Sequence, residues 1–191
     1  MTWIKVCGIT SKPDAEAAIR AGVSAIGLVM APSPRRVTLE RAIGIAALAR
    51  GRVEVVGVFK DAIAAASAHS IVGFDRIQFH GDASVDVPIP LLRVVRPETL
   101  GEASAPRPGE TTLIDASEGR GVVFDWTKAR GSRGSVVIAG GLTPENVGEA
   151  VTVARPYGVD VSTGVESSPG RKDPDKLVRF VEAVRRADAD R

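Results

Sequence analysis

Ala25-Ile26-Gly27-Leu28-Val29-Met30 is a nearly unbroken apolar run. A strand with one wet face alternates apolar and polar side chains, and this one does not, so both of its faces are covered, as in a parallel sheet flanked by helices. Comparable short runs stand at residues 53–59, 75–80, 91–95, 111–115, 136–139 and 158–162, with residues 3–7 ahead of them all. Helical signals fill the gaps. Residues 13–21 are alanine-rich and amphipathic and stop at Gly22; Thr38 is placed as an N-cap, with Glu40 in the first turn of a helix running to about Arg50. Asp61 opens another alanine-rich helix. Thr143-Pro144 and Asp173-Pro174 are N-cap and N1 pairs for two later helices. The first of these carries Val147, Ala150, Val151 and Ala154 on one side, and the second repeats Leu177, Val178, Phe180, Val181 and Val184 at helical spacing.

Between these units the sequence is thinner. Residues 81–90 leave room for one helical turn, residues 97–104 for a short helix, and Ala105-Pro106-Arg107-Pro108-Gly109 breaks regular structure. Strand candidates separated by helical segments require parallel pairing through βα crossovers. The expected fold is therefore α/β, a closed (β/α)8 TIM barrel forming a single compact domain over residues 1–191, with helices four and five shortened. An open doubly wound sheet is the alternative, because such barrels usually run to about 250 residues.

The whole-chain numbers agree with one domain. A chain of 191 residues with 44% hydrophobic content is long enough for one well-buried core and short for two. Lys and Arg total 25 against 23 acidic residues, and no basic run is interleaved with aromatics, so nucleic acid is not expected as a partner. Cys7 is the single cysteine, so there is no internal disulfide, and no Cys/His spacing suits a metal. No leader pattern or membrane-spanning run is expected, which points to a cytoplasmic protein.

In a barrel of this kind chemistry sits at the C-terminal ends of the strands. The residues there are Cys7, Arg35, His80, Asp115, Asp125, Gly140-Gly141, Asp160 and Ser162-Thr163-Gly164. The two late glycine loops are placed to hold a phosphate with backbone N–H groups, with hydroxyls from Ser162 and Thr163; the plainer reading is that Gly140-Gly141 only turns a strand into a helix. Trp3, Lys5 and Cys7 share one strand face. Cys7 and Asp125 form a candidate base and acid. A thiol is a base only as thiolate, and Lys5 is placed to lower its pKa; the alternative for a lone Cys is a small buried hydrophobe. Phe124 and Trp126 would raise the pKa of Asp125, as an acid requires, although Asp125 could equally be a helix N-cap.

Several blocks together resemble the phosphoribosylanthranilate isomerase family of tryptophan biosynthesis. They are Lys5–Thr10, Gly27-Leu28-Val29, Ser33-Pro34-Arg35-Arg36-Val37, Gly57-Val58-Phe59, Ile77-Gln78-Phe79-His80-Gly81, Phe124-Asp125-Trp126, Ala139–Val147, Val159–Glu166 and Pro169-Gly170-Arg171-Lys172-Asp173. The resemblance runs nearly end to end. It implies an Amadori rearrangement of N-(5-phosphoribosyl)anthranilate to 1-(2-carboxyphenylamino)-1-deoxyribulose 5-phosphate, with no cofactor. Asp125 would protonate the ribose ring oxygen and Cys7 would remove the C2 proton. Arg35, beside Arg36, would hold the anthranilate carboxylate, and Gly140, Gly141, Thr163 and Gly164 the phosphate. Asp160 falls near the ribose, and His80 matches the strand-four end as a substrate residue or a structural rim histidine. The implied partner is a small phosphorylated substrate, with the protein a monomer or homodimer. The chain departs from the family pattern in a short, charged Gly119-Arg120-Gly121 loop, in one residue fewer before Arg35, and in lacking an aromatic near Met30. The rivals are the related aminoaldose isomerase of histidine biosynthesis, expected to use two carboxylates, and a phosphate-binding barrel without catalysis.

Overall fold

The computed structural model describes residues 1–81, 83–99, 110–116, 123–130 and 134–190. Eight strands close a barrel in chain order: β1 Trp3–Cys7, β2 Ala25–Val29, β3 Glu54–Phe59, β4 Arg76–His80, β5 Leu91–Val95, β6 Glu110–Asp115, β7 Val136–Ala139 and β8 Gly158–Val161. Every neighbouring pair is parallel. The last strand returns to the first, setting Trp3 opposite Gly158 and Lys5 opposite Asp160. The closed barrel, not the open sheet, is the fold.

Among the described residues five α-helices cover it: α1 Lys12–Ala21, α2 Leu39–Ala49, α3 Ala62–Val72, α4 Val147–Ala154 and α5 Pro174–Ala189. Their starts are chemically marked. Ser11, Thr38, Asp61 and Asp173 each accept from a backbone N–H in the first turn, contacts typically worth about 1 kcal/mol apiece. The start of α4 differs from expectation. Thr143 Oγ1 accepts from Glu145 N, and Thr143 N donates to Asn146 Oδ1, so residues 143–146 make a turn of their own and the helix begins at Val147. On α5 the buried stripe is Leu177, Phe180, Val181 and Val184, whereas Val178 is 44% exposed and faces outward.

The shortened side of the barrel is as expected where it is described. No α-helix follows β4 or β5 among the described residues; a single 3-10 turn, Pro97–Thr99, comes after β5. The rest of the expected fifth helix, the 105–109 break and Gly119-Arg120-Gly121 lie outside the described residues. A second 3-10 turn, Trp126–Ala129, precedes β7. After β8 comes a third, Thr163–Val165, then a small antiparallel hairpin of β9 Glu166–Ser168 and β10 Arg171–Lys172 that sets Lys172 opposite Glu166.

Strand alternation sorts the core into two bodies. Ile4, Val6, Ile26 and Leu28 face outward and pack with Ala15, Ala18, Ile45 and Phe180 of the helices. Inside the barrel Trp3, Ala25, Val56, Leu92, Leu113, Val137 and Ala139 form a separate apolar layer. Arg76, paired with Glu54, lies over the Trp3 ring at 5.7 Å. Along the strands toward their C-terminal ends the inward positions turn polar: Lys5, Gln78 and Asp160, then Cys7 beside Val29 and Val58. Packing thus fills one half of the barrel and leaves the other for chemistry. Among the described residues no helix is long and apolar enough to cross a membrane.

Candidate active site

Cys7 ends β1 with its side chain turned inward, in room made by the residue opposite. A Cβ added to Gly27 would stand 3.0 Å from Cys7 Sγ and 3.0 Å from Lys5 Cε, so a bare backbone on β2 is what admits both side chains. Lys5 is fully buried, and its Nζ lies 2.9 Å from Asp160 Oδ1. Burial works against the Lys5 charge, but Asp160 and Cys7 beside it outweigh that and hold its pKa up. The group stays an ammonium.

Burial also pushes the Cys7 thiol up from its ordinary value, while Lys5 and Lys172 pull it down and Asp160 adds to the rise. The expected help from Lys5 therefore has the right sign and is outweighed. Loss of water costs the thiolate more than one buried ammonium, itself shared with Asp160, returns. At rest Cys7 is a thiol.

Arg35 reaches the same mouth from the loop after β2. Its Nε donates to Glu166 Oε1 at 2.8 Å and its Nη2 to Oε2 at 2.7 Å, a bidentate pair that fixes the guanidinium plane. Lys172 Nζ donates to the same carboxylate at 3.0 Å and to the Ser162 carbonyl at 3.1 Å, and Ser162 Oγ donates to the Cys7 carbonyl at 3.1 Å. Arg35 lines the cavity, whereas Arg36 is exposed.

That cavity, about 170 Å³, is walled by Cys7, Arg35, His80, Asp160 and the late loops at Gly140, Gly141, Ser162 and Thr163. Gly140 and Gly141 have φ of 87° and 63°, so successive residues sit in the left-handed region open mainly to glycine and turn their backbone into a concave edge suited to an anion. Asn146 Nδ2 donates to the Gly141 carbonyl at 2.9 Å and pins that turn. Gly164 has a different part. A Cβ there would fall 1.9 Å from the Leu142 carbonyl oxygen, so its hydrogen lets the two late loops close on each other, and Gly164 does not itself line the cavity.

His80 also lines the mouth, its Nε2 lying 3.1 Å from Gln78 Nε2; Gln78 Oε1 is buried with no hydrogen-bond partner. Asp125 is placed otherwise. It is exposed and caps the 3-10 turn that begins at Trp126, its Oδ1 accepting from Thr127 N at 3.0 Å and Thr127 Oγ1 at 2.6 Å. Those bonds from Thr127 pull its pKa down, so the expected rise from Phe124 and Trp126 is corrected: both rings pack partly against the core, and the carboxylate points away into water.

Comparison with known proteins sets these groups in context. The family model described as N-(5'phosphoribosyl)anthranilate (PRA) isomerase matches residues 4–183. The chain belongs to that family. An N-(5'-phosphoribosyl)anthranilate isomerase of Acidithiobacillus ferrooxidans is 43% identical over 97% of this chain and 98% of its own. Among solved structures, TrpF of Jonesia denitrificans superposes with a TM-score of 0.86 at 34% identity, covering 100% of both chains. A phosphoribosyl anthranilate isomerase in complex with reduced 1-(o-carboxyphenylamino)-1-deoxyribulose 5-phosphate superposes at 0.83 with 30% identity, covering 97% of this chain and 99% of that one. The chain is an isomerase of tryptophan biosynthesis, and the histidine-pathway and non-catalytic readings fall away.

Within the family's barrel, Cys7, Arg35, His80, Asp160, Gly140, Gly141 and Thr163 converge on one cavity, while Asp125 and Gly164 stand outside its lining. Reading strand ends left out Lys60, Gln78, Glu166 and Lys172. Lys60 directly follows β3 and could have been found by the same rule. Gln78 shares strand parity with His80. Glu166 and Lys172 stand in blocks that carry the family resemblance but follow no strand end of the barrel, and a hairpin register brings them to the site.

Proposed function

We propose that Cys7 and Asp125 are the base and acid of the Amadori rearrangement of N-(5-phosphoribosyl)anthranilate. Asp125 protonates the ribose ring oxygen and opens the ring to a Schiff base. Cys7 then removes the C2 proton, made acidic by the protonated imine, and the enolamine tautomerises to the ketone. The Gly140-Gly141 turn, with Thr163 and the loop that Gly164 admits, holds the phosphate; Arg35 takes the anthranilate carboxylate on the guanidinium edge that Glu166 leaves open; His80 and Asp160 face the ribose. One observation carries this reading: a buried thiol, an arginine held in plane and a left-handed glycine pair face a single cavity from different strands.

The cavity of about 170 Å³ is smaller than the roughly 300 Å³ at the low end of ligand pockets. A phosphorylated aminosugar bearing an aromatic ring therefore extends past its rim. A catalytic free thiol works in a reducing compartment, and the cytoplasm supplies one. The test is direct: freshly generated phosphoribosylanthranilate is added and its fluorescence followed. Loss well above the uncatalysed rate is expected, and loss at the background rate would sink the reading.

A further inference from the structure

Glu166 and Lys172 have no part in the proposed chemistry, yet both are buried and both are tied to residues that do. Lys172 is 3% exposed and Glu166 8%. The β9–β10 register sets them opposite each other, with Lys172 Nζ 3.0 Å from Glu166 Oε1, the same oxygen that accepts from Arg35 Nε. A carboxylate that chelates Arg35 both orients and neutralises it. Arg35 with Glu166 alone carries no net charge, which is a poor invitation to a substrate anion. Lys172 Nζ, 3.0 Å from Glu166 Oε1, adds a cation to the cluster: burial pulls its pKa down, and the Glu166 carboxylate beside it pulls it back up.

We propose that Lys172 is a positioning residue that keeps the Arg35–Glu166 pair net positive, so that Arg35 is held in plane by Glu166 and still binds the substrate's anthranilate carboxylate. The proposal rests on reading Arg35 as the ligand of that carboxylate. Arg35 uses Nε and Nη2 on Glu166, which leaves the Nη1 edge for an incoming carboxylate. Lys172 also donates to the Ser162 carbonyl, just ahead of Thr163, so a merely structural role would be to hold the late loop. The two roles differ in which end of the ligand they affect.

The experiment compares two probes binding to the intact protein: the reduced 1-(2-carboxyphenylamino)-1-deoxyribulose 5-phosphate and its counterpart lacking the carboxylate. Lys172→Met removes the charge and keeps most of the stem. It is expected to weaken the carboxylated probe by about tenfold or more, the effect of one charge acting across roughly 12 Å or less at an effective dielectric of about 20. The other probe should stay within about twofold of its wild-type Kd. In turnover the same variant raises KM far more than it lowers kcat. Glu166→Gln/Lys172→Met returns the cluster to one positive charge and is expected to recover most of the lost affinity, and Lys172→Arg to retain it. Equal weakening of both probes, no weakening of either, or a double variant worse than Lys172→Met overturns the proposal. Should Lys172→Met fail to fold, Lys172→Gln, which removes the charge and keeps a donor, is expected to weaken the carboxylated probe by a similar factor and to leave the other probe within about twofold, and unchanged binding of the carboxylated probe overturns the proposal. A wild-type protein that binds neither probe would instead remove the reading of Arg35 on which the proposal stands.

Discussion

On the proposed assignment Cys7 and Asp125 are the base and acid of one reaction, and their surroundings are opposite. Cys7 ends β1 among Gly27, Lys5 and Asp160, and its thiol is pushed up by burial. Asp125 caps a 3-10 turn in water, and Thr127 pulls its carboxyl down. A base works best with a low pKa and an acid with a raised one, so each group rests on the wrong side of its task. On that assignment the resting pair is thiol and carboxylate, whereas the working pair is thiolate and carboxylic acid. Both forms carry the same number of protons. The share of the working form is therefore constant between the two midpoints and falls outside them, because neither adding nor removing a proton creates it. The contrast teaches what the substrate contributes. A ligand seated over Asp125 would strip its water and raise its pKa, while the already buried Cys7 would change little; on the proposed assignment the acid is completed on binding and the base is built into the fold.

The largest expected effect comes from removing the base. Cys7→Ser should lower kcat by about 10³-fold, within the range of general base catalysis, with the Kd of the reduced product analogue nearly unchanged; turnover at the wild-type rate would remove Cys7 from the mechanism. Asp125→Asn is expected to cost about 10²- to 10³-fold in kcat, and a wild-type rate would assign the acid elsewhere.

Lys5→Met tests the built-in side. It leaves Asp160, whose pKa burial already pushes up, without its cation, so the carboxyl takes up a proton, and a loss of about 3 kcal/mol in denaturant unfolding is expected. Because Lys5 pulls the thiol down, its loss raises the Cys7 midpoint further. The plateau of kcat/KM should then drop about tenfold for each unit of that rise; an unchanged plateau would mean that Lys5 does not act on the sulfur. The smallest effect is expected on the exposed side. Thr127→Val removes the 2.6 Å hydroxyl bond, lets the Asp125 pKa climb back, and should raise kcat/KM by about two- to threefold. A fall would show that Thr127 aims the acid more than it tunes it.

The fold was open to reading because each unit repeats a local signal. Runs such as Ala25–Val29 and Val136–Ala139 lack the alternation of a half-wet strand, and Ser11, Thr38, Asp61 and Asp173 are short polar side chains standing directly ahead of helical periodicity. Thr143 misled because its hydroxyl found a closer donor in the turn before α4. Within the site, residues at strand ends came directly from the sequence, since parity and topology place them. Properties set by burial did not. The apolar neighbours of Asp125 turn inward while the carboxylate turns out, and Arg35 is paired with Glu166, which Lys172 shares, from a hairpin that no periodicity announces. Sequence marks which side chain reaches the mouth; the counter-charges and the water around it are set by contacts distant along the chain.

The most direct test uses Cys7 as the chain's single cysteine, so that thiolate absorbance, taken as the difference from Cys7→Ser, reports one group. Thiolate absorbance and kcat/KM for phosphoribosylanthranilate are measured in the same samples from neutral pH upward. The expected result is a thiolate midpoint above the ordinary thiol range, with kcat/KM level below that midpoint and falling as the thiolate appears. A rate that rises in step with the thiolate would contradict the pairing of a buried base with an acid that begins ionised.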